Sequence, residues 1–477
     1  MALKDQIKPI TEFISSKKEY LQHNEDLFTI YEGDLLSFVE KALKEQLNEQ
    51  SYEQARGRIA PINILKRIVD KLSKIYQQNP SRHVIDGSEA DSELLKWYEN
   101  SFKIDQKMNV CNEFFNLFKT SLIQPYLHNR IPQLRVIPSD RFLPYSDDNV
   151  DPTNPTAIII YDRESVDSAG NRTKVYYIFT DTEFLIFNDK GEILYDEMAE
   201  FGNPEGINEI GKIPFIYVNR SNNLLVPYQD TDTKRLTVLI SVLLSDLNLG
   251  VLFQSYSILY GINVQSHNLS FNPNAFWILE NEDPEKKPEI GMIKPQIDID
   301  AVLGLIQSEL SFWLNSRGIR PGSIGELTNT NFSSGISKMI DEMDAFEERK
   351  KQVDFFTDAE NSLWDLIFNY MNPYWVKNNM IDTKHLFTPT ADVQINFAPQ
   401  VPMLQRADLI KELKEELSAG FTSRRRALQQ LNPKLSEEEI DDLIAEIDGE
   451  RTIDVSRSED FLGEDGDDGG QMAEEKN

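Results

Sequence analysis

The fold is decided by a long and mainly apolar run, TDTKRLTVLISVLLSDLNLGVLFQSYSILY, at residues 231–260. A second apolar run, 299–316, follows after an insert of β-like composition, and a loop rich in Gly, Asn and Thr spans 318–335. A third run, Ile336 to Asn372, contains neither Gly nor Pro. At 1.5 Å per residue, the first and third runs predict helices of about 45 and about 55 Å. This pattern indicates a wall element with a loop at its end, and it favours a structural channel over an enzyme.

The flanking sequence predicts an α+β protein that is mainly helical. Residues 1–130 have helical character, and one amphipathic stretch from Ile64 is expected to end at Asn79-Pro80. Between 131 and 220 the apolar period becomes two, which predicts an antiparallel meander. Its expected strands are 156–162, 174–180, 183–188 and 192–195, with a last strand at 213–218. An aromatic-rich helix is expected over about 107–124, and further helices near 403–418, 422–431 and 437–447.

Composition bounds the class of protein. The length of 477 residues predicts about three domains. The 79 acidic and 49 basic residues give a net charge of −30, so the surface as a whole repels polyanions, and no basic face or arm stands out. The single Cys111 lies among aromatic residues and is expected to be a buried thiol in a reducing compartment. The most apolar stretch, residues 236–259, contains Asp246, Asn248 and Gln254. Because these residues make the stretch too polar for a membrane span, a soluble protein is expected.

No residue pattern predicts catalysis, a metal or a cofactor. Gly206–Lys212 fits the phosphate-loop spacing, but Ile213 stands where the loop needs Ser or Thr, and Pro214 with the strand-like residues after it denies a helix start. A turn leading into a strand is the better interpretation. The five histidines are scattered without ligand spacing. A soluble enzyme whose site is assembled from distant residues remains an alternative.

Several short segments carry a resemblance to a known family. They are IYEGD (30–34), NILKRIVD (63–70), VIPSDRFL (136–143), GKIPFI (211–216) and NFSSGIS (331–337), the last followed by a long charged helix. In order and spacing over about 25–450 they resemble the portal (connector) proteins of tailed bacteriophages.

The resemblance implies a portal fold with wing, stem, clip and crown regions assembled into a ring. By position, the regions would be the wing (1–227), stem helix 1 (228–260), the clip (261–297), stem helix 2 (298–317), the tunnel loop (318–335), the long wing helix and return segment (336–400), the crown (401–450) and a disordered acidic tail (451–477).

The implied function is a DNA channel at one capsid vertex of the virion, without enzymatic activity. The implied partners are further copies of the chain, usually twelve in a ring, and double-stranded DNA passing through it. They also include the terminase large subunit, then a head-completion or tail adaptor protein, and the major capsid and scaffolding proteins. No membrane is implied, and the chain would be made in the host cytoplasm. Another virion structural or head-completion protein without a DNA channel is a further alternative.

A conduit must let a polyanion slide, so an acidic wall with few neutralising side chains suits it better than a basic bore. The tunnel loop is expected to touch DNA phosphates transiently through Arg317, Arg320, Gly322, Ser323, Gly325, Glu326, Thr328, Asn329, Asn331 and Lys338. A plain surface connector between helices is the alternative. The motor and adaptor would dock on the clip through Phe276, Trp277, Glu282, Asp283, Glu285, Lys286 and Lys287. Trp277 and Trp313 are expected to pack, and Arg424–Arg426 to be solvated or between subunits.

Overall fold

Helices and small sheets alternate along the chain in the computed structural model. It describes residues 3–148, 150–166, 172–256, 258–262, 276–279, 289–293, 296–317, 335–397, 403–432, 435 and 439–448. The helices are α1 (Leu3–Ser16), α2 (Lys18–Glu32), α3 (Leu36–Gln46), α4 (Glu49–Arg56), α5 (Ile64–Leu72), α6 (Glu89–Phe102), α7 (Ile104–Phe118), α8 (Tyr195–Glu200), α9 (Thr231–Tyr256), α10 (Ile299–Ser316), α11 (Gly335–Leu366), α12 (Asn372–Lys377), α13 (Met403–Ala419) and α14 (Arg424–Leu431).

The strands are β1 (Ser81–Ile85), β2 (Thr120–His128), β3 (Ile131–Ile137), β4 (Phe142–Tyr145), β5 (Ala157–Val166), β6 (Arg172–Phe179), β7 (Phe184–Asn188), β8 (Ile216–Asn219), β9 (Ile258–Ile262), β10 (Phe276–Leu279), β11 (Glu289–Ile293) and β12 (Asp392–Asn396). The predicted class, α+β and mainly helical, is confirmed. The chain divides into two compact units, residues 1–77 with 83–395 and residues 78–82 with 396–477.

The predicted meander is split between two sheets. One has the order β4-β5-β6-β7, and its buried face packs on the apolar side of α1. The other has the order β3-β2-β8, so the last predicted strand leaves the meander and pairs with β2. The expected strand 192–195 is wrong. Ile193 forms only an isolated bridge to Phe187, and α8 begins at Tyr195.

Three predicted helix ends also differ from the structure. The helix expected to reach 124 stops at Phe118, because Lys119 adopts a left-handed φ of 65° and the chain then enters β2. The helix expected to run to Asn79 ends at Leu72, where the Ser73 hydroxyl caps it by donating to the Val69 carbonyl oxygen at 2.7 Å. The helix expected over 231–260 ends at Tyr256, because 258–262 pair with β10 and β11.

The third long run continues past its predicted end. α11 ends at Leu366, a π-helical turn covers Ile367–Met371, and α12 begins at Asn372. Pro373 lies in the first turn of α12, directly after the π-helical turn.

The first unit is held by apolar clusters and by a buried polar network. α2, α3, α5, α7 and α9 share one cluster around Ile30 and Val39, which are fully buried. Below α11, the Asn112 amide donates to Gln352 Oε1 at 2.8 Å. The Tyr76 hydroxyl donates to the fully buried Glu360 carboxylate at 2.7 Å. These contacts satisfy polar groups that would otherwise be costly to bury.

Cys111 lies fully buried on α7, as expected, and burial raises the pKa of its thiol to about 12. We therefore predict that iodoacetamide at pH 8 labels the folded protein at least about 100-fold more slowly than the protein unfolded in guanidinium, because the thiolate is the nucleophile. Mass spectrometry of timed samples measures both rates. Equal rates in the two states would contradict a buried, protonated thiol.

Candidate functional site

α9 and α10 pack together and against α5. Ile306 and Leu314 of α10 are buried in a cluster with residues of the other two helices, namely Leu236, Ile240, Ile64 and Ile68. α10 is capped by Asp298, whose carboxylate accepts from the Ala301 N–H at 3.0 Å. The two long apolar runs of the sequence therefore form a paired structure with one shared core.

An ion-pair cluster joins the end of α10 to the start of α9. The guanidinium of Arg317 donates to Asp230 Oδ2 at 2.7 Å and to both oxygens of Asp232 at 2.8 and 2.7 Å. Lys119 Nζ donates to Asp230 Oδ1 at 2.8 Å, and the Trp313 indole N–H donates to Asp232 Oδ2 at 3.0 Å. The guanidinium carbon also lies 5.2 Å from the centre of the Trp313 ring. Two carboxylates and two cations thus fix the residue from which the 318–334 segment departs.

The charges in this cluster stabilise one another. Burial alone would raise the pKa of Asp230, but hydrogen bonds from Lys119 and Arg317 outweigh it and hold the pKa below its usual value. Burial would also raise the pKa of Asp232, but its hydrogen bonds, mainly from Arg317, lower that pKa. Burial would lower the pKa of Arg317, but the two carboxylates raise it. Both aspartates are therefore ionised at neutral pH.

A row of hydroxyl groups on α9 holds the segment that leads into α5. Thr237, Ser241 and Ser245 recur every four residues, and each donates to the carbonyl one turn earlier on α9. The same serine oxygens accept from backbone N–H groups, Ser241 from Ile62 at 3.2 Å and Ser245 from Ala60 at 3.0 Å. Small side chains at these positions let an extended segment lie directly on the helix.

Among the residues predicted to line a tunnel loop, Arg317 is the one whose side chain the structure describes. Its guanidinium is engaged by Asp230 and Asp232. Lys338 lies on α11, and its side chain is outside the described part. Arg320, Gly322, Ser323, Gly325, Glu326, Thr328, Asn329 and Asn331 lie outside the described residues.

The predicted clip residues are described only in part. Phe276 and Trp277 begin β10, which pairs in parallel with β9, while β11 pairs with β9 on the other side. Glu282, Asp283, Glu285, Lys286 and Lys287 lie outside the described residues, as do residues 451–477.

Two members of the arginine triplet form ion pairs within the second unit. Arg424 contacts Asp448, and Arg425 Nη2 lies 3.0 Å from Asp441 Oδ2. Ser423 caps α14 by accepting from the Arg426 N–H. These contacts give Arg424 and Arg425 a structural role in joining α14 to the helical residues 439–448.

Sequence reasoning missed the acidic partners of Arg317. Nothing in the sequence near Asp230 or Asp232 links them to an arginine that lies 87 and 85 residues later. It also missed a basic segment. Residues 56–74 contain six Lys or Arg and one acidic residue, Asp70, a local net charge of +5 in a chain of net charge −30. A running count of charge would have revealed this segment.

Two helix faces retain exposed apolar side chains. On α10, Leu305 is 48% and Phe312 75% exposed, and on α9 Leu239 and Val251 are also exposed. Among the described residues, one helical stretch, Thr231–Leu252, is long and apolar enough to cross a membrane, with a mean hydropathy of 1.6 and 33% of its residues buried. Length and composition alone do not separate a membrane span from a helix that packs on protein.

Comparison with known families assigns the chain. A family model described as phage portal protein, SPP1 Gp6-like, matches residues 10–452. The chain therefore belongs to the phage portal protein family, and the predicted resemblance is confirmed. Membership implies a structural protein at a capsid vertex, with an oligomeric ring and partners in packaging and in the capsid. No curated protein matches the chain at a significant level.

The ion-pair cluster makes a prediction for stability. Replacing Arg317 with Ala removes the main donor of Asp232 and one of the two cations that pair with Asp230, so we expect a loss of about 1–2 kcal/mol at pH 7. Replacing it with Lys keeps the charge but not the forked geometry, and should recover part of the loss. Because the folded pKa values of both aspartates are lowered, their contribution is present above the ordinary value of 3.8 and is lost as pH falls through the folded pKa.

Thermal or urea unfolding at several pH values measures these differences. The gap between wild type and Arg317→Ala should be constant from pH 7 to about 5 and should close as the pH falls below 3.8. A gap that is the same at pH 3 and pH 7 would show that the substitution acts through packing and not through the two carboxylates.

Proposed function

We propose that this chain forms the ring-shaped DNA channel of a phage capsid, with α9 and α10 as its stem helices. Residues 261–297 would be the clip, on which the terminase large subunit docks first and the head-completion or tail adaptor later. Residues 401–450 would form the crown, and the major capsid and scaffolding proteins would surround the wing. Twelve copies are the expected number in the ring, double-stranded DNA passes through it during packaging and ejection, and the energy comes from the separate terminase.

The observation that carries this proposal is the second apolar face of α10. One face, with Val302, Ile306 and Leu310, packs inside the chain. Leu305 and Phe312 are seven residues apart, so they share another face, which is exposed. A helix that is apolar on more than one face requires more than one apolar neighbour. In the proposed ring, the stem of the adjacent copy is that neighbour.

A second copy suits this face better than lipid does. The start of α9 carries the ion-pair cluster of Asp230, Asp232 and Arg317, and its middle carries the hydroxyls that bind the 60–62 segment. Asp246 and Asn248 are also on α9, within the candidate span. A lipid environment would have to bury these charged and polar groups, which is costly, whereas a head-to-tail interface between identical copies closes into a ring.

The tunnel loop, residues 318–335, is proposed to project from Arg317 towards the DNA. Since Arg317 is engaged by two aspartates, we infer that it holds the base of the loop, and that Arg320 and Lys338 provide the cations nearest the phosphates. Ser323, Thr328, Asn329 and Asn331 provide short polar side chains that can touch a sliding backbone without binding it strongly.

The ring interface can be tested with charged substitutions. In Leu305→Glu/Phe312→Glu, two exposed side chains acquire charge, so the unfolding free energy of the protomer should change by no more than about 0.5 kcal/mol per site. Ring formation should be abolished, because the new charges would have to be buried between copies. Sedimentation velocity measures the assembly, and thermal unfolding checks the protomer.

Val150→Glu is the matched control, since Val150 is a 94% exposed apolar residue remote in sequence from α9 and α10. This variant should assemble like the wild type. Rings that persist in the double variant, or that are lost equally in the control, would contradict the assignment of this face to the subunit interface.

The tunnel loop can be tested through its glycines. Gly322→Ala and Gly325→Ala narrow the backbone conformations that are open to the loop, so they should reduce packaged DNA severalfold while rings still form. Val150→Glu is again the control, because it changes an exposed side chain that is remote in sequence from the loop. Packaging assays with purified procapsids measure the effect. Normal packaging by the loop variants would support a plain surface connector.

A further inference from the structure

The basic segment 56–74 forms a line of cations along α9. Its chain runs antiparallel to α9, with Asn248 Nδ2 donating to the Arg58 carbonyl oxygen at 3.1 Å and Ser241 accepting from the Ile62 N–H. At the other end Leu72 and Thr233 line one small cavity, of about 90 Å³. From Asn248 to Thr233 the helix rises about 22 Å. We call the six cations along this segment, Arg56, Arg58, Lys66, Arg67, Lys71 and Lys74, the basic stripe.

The stripe presents its charges to the solvent. Arg56, Arg58, Lys66 and Arg67 are exposed. Lys71 and Lys74 are half-buried, and Lys74 lies beyond the end of α5. Lys66 Nζ lies 4.1 Å from the centre of the Tyr31 ring. Within the described residues, no ion pair joins Arg56, Arg58 or Arg67 to a carboxylate. Three guanidinium groups are therefore available to an anion.

The chemistry of the stripe favours nucleic acid over a protein partner. Cores of protein–protein interfaces are depleted in Lys and rely on apolar and aromatic anchors, as the exposed face of α10 provides. Interfaces with DNA are more polar and much more positively charged. Between Arg56 and Lys74 the one large apolar side chain exposed among the described residues is Ile62. Over about 22 Å, one strand of a duplex presents about six phosphates, at 3.4 Å each.

We propose that the basic stripe is a contact site for the phosphate backbone of double-stranded DNA. The contact is independent of base sequence and weakens as salt is added, because each neutralised phosphate releases counterions. The end of the stripe near Leu72 lies beside Arg317, because Leu72, Thr233 and Arg317 line the same cavity. The proposal rests on the proposed function for the identity of the ligand, and it adds a DNA contact outside the 318–335 loop.

The test is the binding of a fluorescent 30-base-pair duplex to the full-length protein, followed by anisotropy at 50–200 mM NaCl. The variant is Arg56→Gln/Arg58→Gln/Arg67→Gln. The expected loss of affinity at 50 mM salt is about tenfold or more, and the slope of log K against log salt should fall by up to about 2.7, at 0.9 per phosphate contact. Replacing the same three residues with Lys keeps the charges and should preserve both quantities.

The matched control removes three exposed lysines elsewhere, in Lys8→Gln/Lys18→Gln/Lys377→Gln. It makes the same change in net charge, so it should leave the salt slope at the wild-type value. Equal effects in the two triple variants would overturn the proposal, because the overall charge and not the stripe would then control binding. Unchanged binding in the stripe variant would overturn it as well.

Electron microscopy of the same samples separates this proposal from the ring. If the wild type and the stripe variant both form rings, and the variant binds DNA as tightly as the wild type, the result refutes the stripe and supports the ring. A stripe variant that loses its rings but keeps its DNA affinity would identify the stripe as a contact between copies, and that result also refutes the proposal. Failure of the wild type to form rings would refute the proposed function, while the anisotropy comparison would still test the stripe.

Discussion

The contact of Arg317 with Asp230 and Asp232 is the interaction that joins the end of α10 to the start of α9. It joins the last residue before the 318–334 segment to the start of a helix 85 positions earlier in the chain. Both aspartates also have a second donor, Lys119 or Trp313, so each charge in the cluster is compensated. The residue from which the 318–334 segment departs is therefore held in place, as the proposed contact of that segment with moving DNA would require.

A second constraint is the apolar surface of α9 and α10, which exceeds what one chain covers. α5 packs on one side of the pair, and the hydroxyl row on α9 holds the segment before α5 at backbone distance. Phe312 and Leu305 remain exposed.

Charge is also unevenly distributed, since a chain of net charge −30 carries a segment of net charge +5 along α9. In the proposed channel, an acidic surface that repels DNA and a short basic stripe would act together and keep each contact with DNA weak and local.

The sequence predicted the three long helices because two of them are long apolar runs and the third is a long run without Gly or Pro. It failed where contacts remote in sequence decide the outcome. The left-handed Lys119, and not a breaker residue, ends α7, and β8 pairs with β2 because of tertiary packing. Arg317 was predicted as a site residue from its place beside the loop, but its aspartate partners were not, since pairing across 85 residues leaves no local pattern. The basic segment 56–74 was visible in the sequence and was obscured by the acidic total.

The central claim is that copies of this chain close into a ring through the exposed face of α9 and α10. Single-particle electron microscopy of the purified full-length protein at several concentrations tests it most directly. The account predicts closed rings with an axial hole of at least about 20 Å, wide enough for duplex DNA, with the paired α9 and α10 of neighbouring copies in contact around it. Monodisperse monomers or dimers that persist at high concentration, or rings in which Leu305 and Phe312 face solvent, would contradict it.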